Sequence, residues 1–376
     1  MAVPFNRPPV VGKELDYLRQ ALDERHLQSG GSFTRACQAA LEDMTGCGHA
    51  LLTHSCTAAL EMSALLCRLA PGDEVIMPSF TFVSTASAVA LRGATPVFVD
   101  IRPDTLNLDE TLVEGAITAK TKAIFAVHYA GVGCEPAKLR AIADARGLLL
   151  VEDAAQGLSA SFDGRPLGSF GHLAAISFHA TKNVVAGEAG ALLINDPELV
   201  ERAEIILEKG TNRRQFQRRQ IDKYTWVGLG SSYAASELVA AFLRAQLECA
   251  ETVTKERLEL WNTYHEALAA QEAAERLRRP VIPEGCAHNG HIYYVILPTA
   301  EARDDALRGF LEAGVEAQFH YVPLHSSPAG RALGRPHGDL AVTADLAARL
   351  LRLPLWFGMG DETAKVLEAL ETVLGA

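Results

Sequence analysis

The sequence predicts an α/β protein with a large domain over residues 1–250 and a smaller C-terminal α/β domain over residues 251–376. Three observations predict it. Short, nearly continuous apolar runs recur along the first two hundred residues, as in strands buried on both faces. Helix-period or turn-rich stretches separate them. After Pro280, beyond a long helical stretch, the texture changes to a second strand–helix series.

Leu15, Leu18 and Leu22 lie at helical spacing and predict an amphipathic helix ending before Ser29-Gly30-Gly31. Residues 50–53 read as a strand that turns at His54-Ser55-Cys56-Thr57 into a helix carrying Ala58, Met62, Leu65, Leu66 and Leu69. Pro71-Gly72-Asp73 closes that unit, and 74–78 begins the next strand. The runs 96–99, 123–127, 148–151, 174–178 and 191–194 continue the series. The stretch 237–269 is helical and long, and the domain boundary falls inside it, near 245–260. Further on, 291–297 and 315–321 read as strands and 304–313, 340–351 and 361–374 as helices. Polar residues at strand ends should line a site, because covered sheets bind ligands beyond their carboxyl ends.

The 376 residues carry a formal net charge of −11, with 48% hydrophobic and 22% charged residues. Such a composition is globular, and the acidic balance argues against a nucleic-acid partner, which calls for a basic stripe. An anionic small molecule is still compatible, since one pocket can be basic on an acidic protein. The seven cysteines are scattered without a CxxC pair, so a reducing cytoplasm is a simpler reading than a disulfide framework. The twelve histidines lack HExxH spacing, and no metal site is expected. No apolar run is long enough for a membrane span, and no signal segment is read at the start.

Four strand-end features carry chemistry. In Leu149-Leu150-Val151-Glu152-Asp153-Ala154-Ala155-Gln156 an apolar strand ends in Asp153, a partly buried carboxylate that needs a cation or strong donors. In Ile176-Ser177-Phe178-His179-Ala180-Thr181-Lys182-Asn183 a strand runs into Lys182, whose amine loses basicity beside a cation and away from water. Cys56 and Thr57 stand at a helix start, where backbone N–H groups and a hydroxyl suit a phosphate, with Ser177 as a further donor. Phe82 follows a strand and is placed to stack on a planar ring. Each also has an ordinary structural role: helix cap for Asp153, exposed loop residue for Lys182, N-cap for Thr57, core packing for Phe82. Together they fit pyridoxal 5′-phosphate (PLP), with Asp153 opposite a protonated pyridine nitrogen and Lys182 as the Schiff-base amine.

The order of these segments resembles the fold-type I PLP-dependent transferases. Val151–Gln156, Ser177–Lys182 and Gly187-Glu188-Ala189-Gly190-Ala191 resemble the DegT/DnrJ/EryC1/StrS sugar aminotransferases, and the similarity runs over nearly the whole chain. Glu208-Lys209-Gly210-Thr211-Asn212-Arg213, Asp222-Lys223-Tyr224-Thr225-Trp226 and Phe319-His320-Tyr321-Val322-Pro323 resemble the branch forming dTDP-4-amino-4,6-dideoxy-D-galactose for enterobacterial common antigen. The resemblance implies a large mixed-sheet domain and amino transfer from L-glutamate to C4 of dTDP-4-dehydro-6-deoxy-D-glucose, leaving 2-oxoglutarate. It makes Lys182 the cofactor anchor and proton shuttle, Asp153 the partner of the ring nitrogen and Gln156 that of the ring hydroxyl. Thr57 and Ser177 then hold the phosphate.

For the sugar nucleotide the resemblance points to Phe5, Asn6, the Ser29-Gly30-Gly31 loop, Lys209, Arg213, His320 and Tyr321, although His320-Tyr321 also reads as a packed strand. A homodimer with sites at its interface is implied. Where much of the family has an Asn reaching the phosphate in the neighbouring subunit, this chain has Ser232, and Ala189 stands where Gly is usual. A related branch that removes a sugar hydroxyl carries His in place of Lys182, so the lysine favours transamination. Competing readings are a transaminase of a C3-keto or UDP-linked sugar, a non-catalytic PLP-binding regulator, and an α/β binding protein without cofactor.

Overall fold

Runs rich in branched and small apolar side chains form the strands of this computed structural model, which describes residues 2–374. Residues 375 and 376, the end of the expected 251–376 unit, lie outside the described residues. β1 (His49–Thr53), β2 (Glu74–Pro78), β3 (Thr95–Val99), β4 (Thr121–Val127) and β5 (Leu149–Asp153) precede the short β6 (Ser161–Phe162) and β7 (Arg165–Pro166). Then come β8 (Leu173–Ser177), β9 (Gly190–Ile194), β10 (Cys286–Ala287), β11 (Tyr293–Ile296), β12 (Arg335–Pro336) and β13 (Leu350–Leu353).

The main sheet has the order β1-β9-β8-β5-β4-β2-β3-β12. It is parallel except where β9 pairs with β1 and β8, so the sheet is mixed. Alternate residues enter opposite cores: Leu51, Val151, Ala175 and Leu192 one, Leu52, Ala174, Ile176 and Leu193 another. Both faces are covered, which is why these strands read as unbroken apolar runs. Every strand expected before residue 200 is present, with ends displaced by a residue or two.

Three expectations need correction. The first helix forms at Glu14–Asp23 with Leu18 packed on the core as expected, but Leu15 and Leu22 are 74% and 55% exposed, and Tyr17 and Ala21 complete the inward face. Its rotation follows Glu14, whose buried carboxylate accepts from the Val11 and Gly12 N–H groups and from Gln246 Nε2. The long 237–269 helix is broken at Cys249 into Glu237–Glu248 and Ala250–Ala267, because Cys249 leaves helical geometry (φ −109°, ψ 7°). Finally, the expected strand 315–321 is irregular, touching its neighbours through Val3↔Val315 and Gln318↔Arg352 bridges, whereas 350–353, read partly as helix, forms β13 against β11. Pairing that buries Leu350 and Leu351 completely outweighs leucine's helix propensity.

The C-terminal core packs Trp261, Tyr264, Phe310, Leu351, Leu353, Trp356 and Leu370 around β11 and β13. One core of the main sheet takes in Leu324 and Leu340 from beyond residue 250. Val3 packs in the C-terminal core, and β12 returns to the edge of the main sheet. These crossings hold the two parts around a shared cleft.

Phe310 is fully buried and its neighbour Leu311, on the same helix, is 69% exposed. Phe310→Ala should cost about 3–5 kcal/mol and Leu311→Ala less than about 0.5 kcal/mol, read as shifts of the urea unfolding midpoint. Equal shifts would contradict this packing.

Candidate active site

The carboxyl ends of β4, β5 and β8 bring Val127, Asp153 and Ser177 to the wall of one cavity of about 610 Å³. Asp153 is 5% exposed. Its Oδ2 accepts from the Thr85 hydroxyl at 2.6 Å and its Oδ1 from the Ala155 N–H at 3.2 Å. The Thr81 hydroxyl, 2.9 Å from that of Thr85, extends the chain of hydrogen bonds. Burial pushes the Asp153 carboxyl above the usual aspartate range, against the opposing pull of Thr85, Ala155, Lys182 and His128. Such a carboxylate is a ready partner for a cation brought into the cavity.

Lys182 lies on the loop after β8, its N–H donating to the His179 carbonyl at 2.9 Å. The next residue ties this loop to the C-terminal part: Asn183 Nδ2 donates to the Asn289 carbonyl, and Asn183 Oδ1 lies 2.9 Å from His291 Nδ1. From the N-terminal segment, Asn6 Nδ2 donates to the Ala180 carbonyl at 3.1 Å. Burial holds the Lys182 ammonium below the usual lysine range; Cys56 and Asp153 oppose that shift and Arg352 adds to it. The neutral amine needed for imine chemistry is thereby made accessible.

Across the cavity the helix Cys56–Leu66 begins at Ser55, whose side chain accepts from the Ala58 N–H at 3.1 Å. The Cys56 and Thr57 N–H groups precede any intrahelical partner and face outward at the positive end. Thr57 Oγ1 lies 2.7 Å from Ser84 Oγ. Burial raises the Cys56 thiol well above its usual range and keeps it protonated, so its backbone is the anion donor there. Gly190 permits this approach of strand and helix, since a Cβ on it would stand 2.4 Å from the Cys56 nitrogen. Ala189 is buried and outside the left-handed region, so the glycine usual at that place is not required.

The remaining wall is largely aromatic. Gln156 Oε1 accepts from the Ala130 N–H at 2.6 Å and its Nε2 donates to the Tyr321 hydroxyl at 3.0 Å. His320 lies against Tyr321 with centroids 3.4 Å apart, its Nδ1 3.1 Å from the Tyr129 hydroxyl. Burial keeps His320 neutral. Phe82, 58% exposed, stands 6.5 Å from the Tyr321 ring.

One cavity thus brings together Phe5, Asn6, Cys56, Thr57 and Phe82 with Asp153, Gln156, Ser177, Lys182, His320 and Tyr321. Lys209, Arg213 and Ser232 are not on its wall, nor is the Ser29-Gly30-Gly31 loop. The first three are exposed, on an excursion where Ser232 bridges to Glu208. Sequence reasoning assigned no role to Thr85, Asn183, His291, Arg257 or Arg352. A hydroxyl pair four residues apart, Thr81 and Thr85, and a lone charge inside Leu350-Leu351-Arg352-Leu353 were the available signals.

A buried acid, a lysine of lowered basicity and an anion cup meet at the carboxyl ends of a mixed sheet, an arrangement that fits a PLP-dependent enzyme. PLP matches each donor in kind: ring nitrogen for Asp153, aldehyde for Lys182, phosphate for the Cys56–Thr57 N–H groups. The chain belongs to the DegT/DnrJ/EryC1/StrS aminotransferase family, whose model matches residues 10–371. It is 30% identical to the spore coat polysaccharide biosynthesis protein SpsC of Bacillus subtilis, over 99% of this chain and 97% of that one. It is 31% identical to GDP-perosamine synthase of Caulobacter vibrioides, over 98% and 97% of the two chains. Spr1654 of Streptococcus pneumoniae, solved in its PLP form, superposes with a TM-score of 0.89 at 25% identity, covering 100% of this chain and 99% of that one. The cofactor is PLP. Among the described residues no helix is long and apolar enough to cross a membrane, and no cluster of three metal-ligating side chains occurs.

The Thr85 hydroxyl lowers the Asp153 pKa, and only ionised Asp153 pairs with a pyridinium. PLP affinity should therefore fall as the pH drops through the Asp153 pKa. Thr85→Val raises that pKa further and should move the acid limb of PLP binding to higher pH, while Thr85→Ser restores it. Cofactor absorbance across a pH series reads the limb; coincident curves for Val and wild type would refute the link.

Proposed function

We propose that this chain is a sugar-nucleotide aminotransferase that moves the amino group of L-glutamate to C4 of dTDP-4-dehydro-6-deoxy-D-glucose, forming dTDP-4-amino-4,6-dideoxy-D-galactose. The observation that carries the reading is Lys182, a lysine of lowered basicity, sharing one cavity with the buried Asp153. PLP, when bound, supplies an electron sink for the carbon that loses its proton. Lys182 Nζ anchors the cofactor and then holds and returns the proton at the reacting carbon, work that needs a pKa below the usual lysine range. Asp153, ionised and held by Thr85 and Ala155, keeps the ring nitrogen charged.

Cys56, Thr57 and Ser177 take the phosphate, Gln156 the ring hydroxyl, and Phe82 one ring face. The Tyr321–His320 pair keeps water from the reacting atoms, and neutral His320 avoids competing with Lys182 for charge. Phe5, Asn6 and Tyr321, on the cavity wall, are assigned to the sugar nucleotide. Lys209, Arg213 and Ser232 enter this scheme through a second copy of the chain. The exposed Tyr224, Trp226, Val227 and Leu229 on the same excursion support a homodimer. The free cysteines are in keeping with a cytoplasmic setting.

The test is a product assay with the PLP-loaded chain, L-glutamate and keto sugars linked to dTDP, UDP or GDP, the last because a 31% identical relative is a GDP-perosamine synthase. NMR at C3 and C4 should show amination at C4 of the dTDP sugar, and Lys182→Ala should abolish both product and near-visible absorbance. Amination at C3, or of another nucleotide sugar only, would replace the proposed substrate. A colourless wild type that does not react with borohydride would overturn the class of chemistry assigned to Lys182.

A further inference from the structure

His291 precedes β11 on the cavity wall and is 8% exposed. Its backbone N–H donates to Asn289 Oδ1 at 3.1 Å, and its carbonyl accepts from a terminal nitrogen of Arg257 at 2.7 Å. Asn289 is itself pinned, its Nδ2 donating to the Gln156 and Leu158 carbonyls, both at 2.8 Å. On the ring, Nδ1 lies 2.9 Å from Asn183 Oδ1. A third group fixes which of these two gives the proton. Asn183 Nδ2 donates to the Asn289 carbonyl at 2.9 Å, and a carbonyl only accepts. The Asn183 oxygen therefore faces His291, and Nδ1 carries the hydrogen. Burial keeps the ring neutral, helped by the charges of Lys182, Arg257 and Arg352, of which Lys182 weighs most. A neutral ring protonated at Nδ1 leaves a lone pair on Nε2, and that atom has no hydrogen-bond partner among the described residues. The tautomer of His320, also on the wall, is not fixed in this way, because its partner is the Tyr129 hydroxyl, which can give or take the proton.

We propose that His291 Nε2 accepts a hydrogen bond from the C3 hydroxyl of the keto sugar, an inference resting on the reading that the chain aminates a sugar nucleotide at C4. The chemistry of the two substrates decides which of them this atom serves. Apart from its reacting amine, L-glutamate presents carboxylates, which only accept, so a second acceptor does not recognise it. The sugar presents hydroxyls, which donate. Position then selects the hydroxyl. Lys182 works at C4, and its charge is the one His291 feels most. C3 is bonded to C4 and bears a hydroxyl, whereas C5, on the other side, bears the methyl group. The acceptor is also preorganised. Asn183 follows Lys182 directly, so the hydrogen bond that orients the imidazole holds the lysine's loop as well. A buried acceptor left unpaired is costly, which turns the atom against a sugar that lacks the donor.

The PLP-loaded wild type, His291→Asn and His291→Gln are followed through two separate halves of the reaction. L-Glutamate bleaches the near-visible absorbance, and the dTDP-linked 4-keto sugar restores it. Each protein is given the sugar with its C3 hydroxyl and the 3-deoxy sugar. Asn keeps a donor for Asn183 Oδ1 but has no atom at the Nε2 position, whereas Gln reaches that position with its amide. The wild type should be restored about tenfold faster by the 3-hydroxy sugar, as expected when a buried acceptor loses its partner. In His291→Asn that preference should shrink to about twofold or less, with the sugar half slowed more than the glutamate half. His291→Gln should keep part of the preference, and it carries the comparison if the Asn variant fails to fold. A full preference in His291→Asn, or in His291→Gln where that variant stands alone, would overturn the inference. So would a wild type indifferent to the C3 hydroxyl. A wild type bleached by L-glutamate but restored by no 4-keto sugar would instead overturn the proposed acceptor, and one without near-visible absorbance would overturn the reading of Lys182.

Discussion

A carboxylate at the end of β5 is held almost out of reach of water, and much of the surrounding architecture follows from making that position tenable. Asp153 is carried there by a strand buried on both faces, so its backbone has no freedom to swing outward. Thr85 and Ala155 supply two hydrogen bonds, enough to oppose burial but too few to satisfy an ionised carboxylate fully. A cation brought into the cavity would complete the set. The lysine across the same space is subject to the same burial, which favours its neutral form. One low-dielectric setting thus drives both groups towards neutrality, and a cofactor carrying a pyridinium and an aldehyde answers both.

Next to this pair runs a second buried acid–base contact that keeps the strand ends in register. His128 Nε2 lies 2.7 Å from Glu152 Oε2, both residues fully buried, while Glu152 also accepts from the Gly168 and Gly171 N–H groups. His128 follows β4 and its N–H donates to the Asp153 carbonyl. Glu152 points to the far side of β5, as alternation along a strand requires, so neighbouring acids serve opposite faces. A fully satisfied buried network of this kind rigidifies the segment that bears Asp153.

The second half of the cavity comes from distant chain. Asn183 and His291 join the lysine loop to the turn before β11, Gln156 joins the β5 end to Tyr321, and Phe5 lies over Arg352. Each link spans more than a hundred residues of sequence and engages side chains with no local reason to be polar. They set where the aromatic wall stands relative to Lys182, and so which substrate atoms are shielded from water.

The sequence by itself determined seven of the eight strands of the main sheet, because strands covered on both faces read as nearly continuous apolar runs and so announce themselves without a partner, whereas the two-residue β12 does not. It also made the strand-end residues Asp153, Ser177 and Lys182 conspicuous, since a polar group that ends an apolar run stands at the rim of the sheet, where ligands bind. Only the tertiary structure decided how elements with one covered face are turned. The first helix was read from its leucines, yet it is rotated by Glu14, a charged residue whose burial depends on Gln246 far along the chain. Leu350 and Leu351 read as the end of a helix, yet they open β13 because β11 offers them an edge. Arg352 and Thr85 escaped notice for the same reason: their importance lies in what they face across the cavity, and contacts between distant segments leave no periodicity in the sequence.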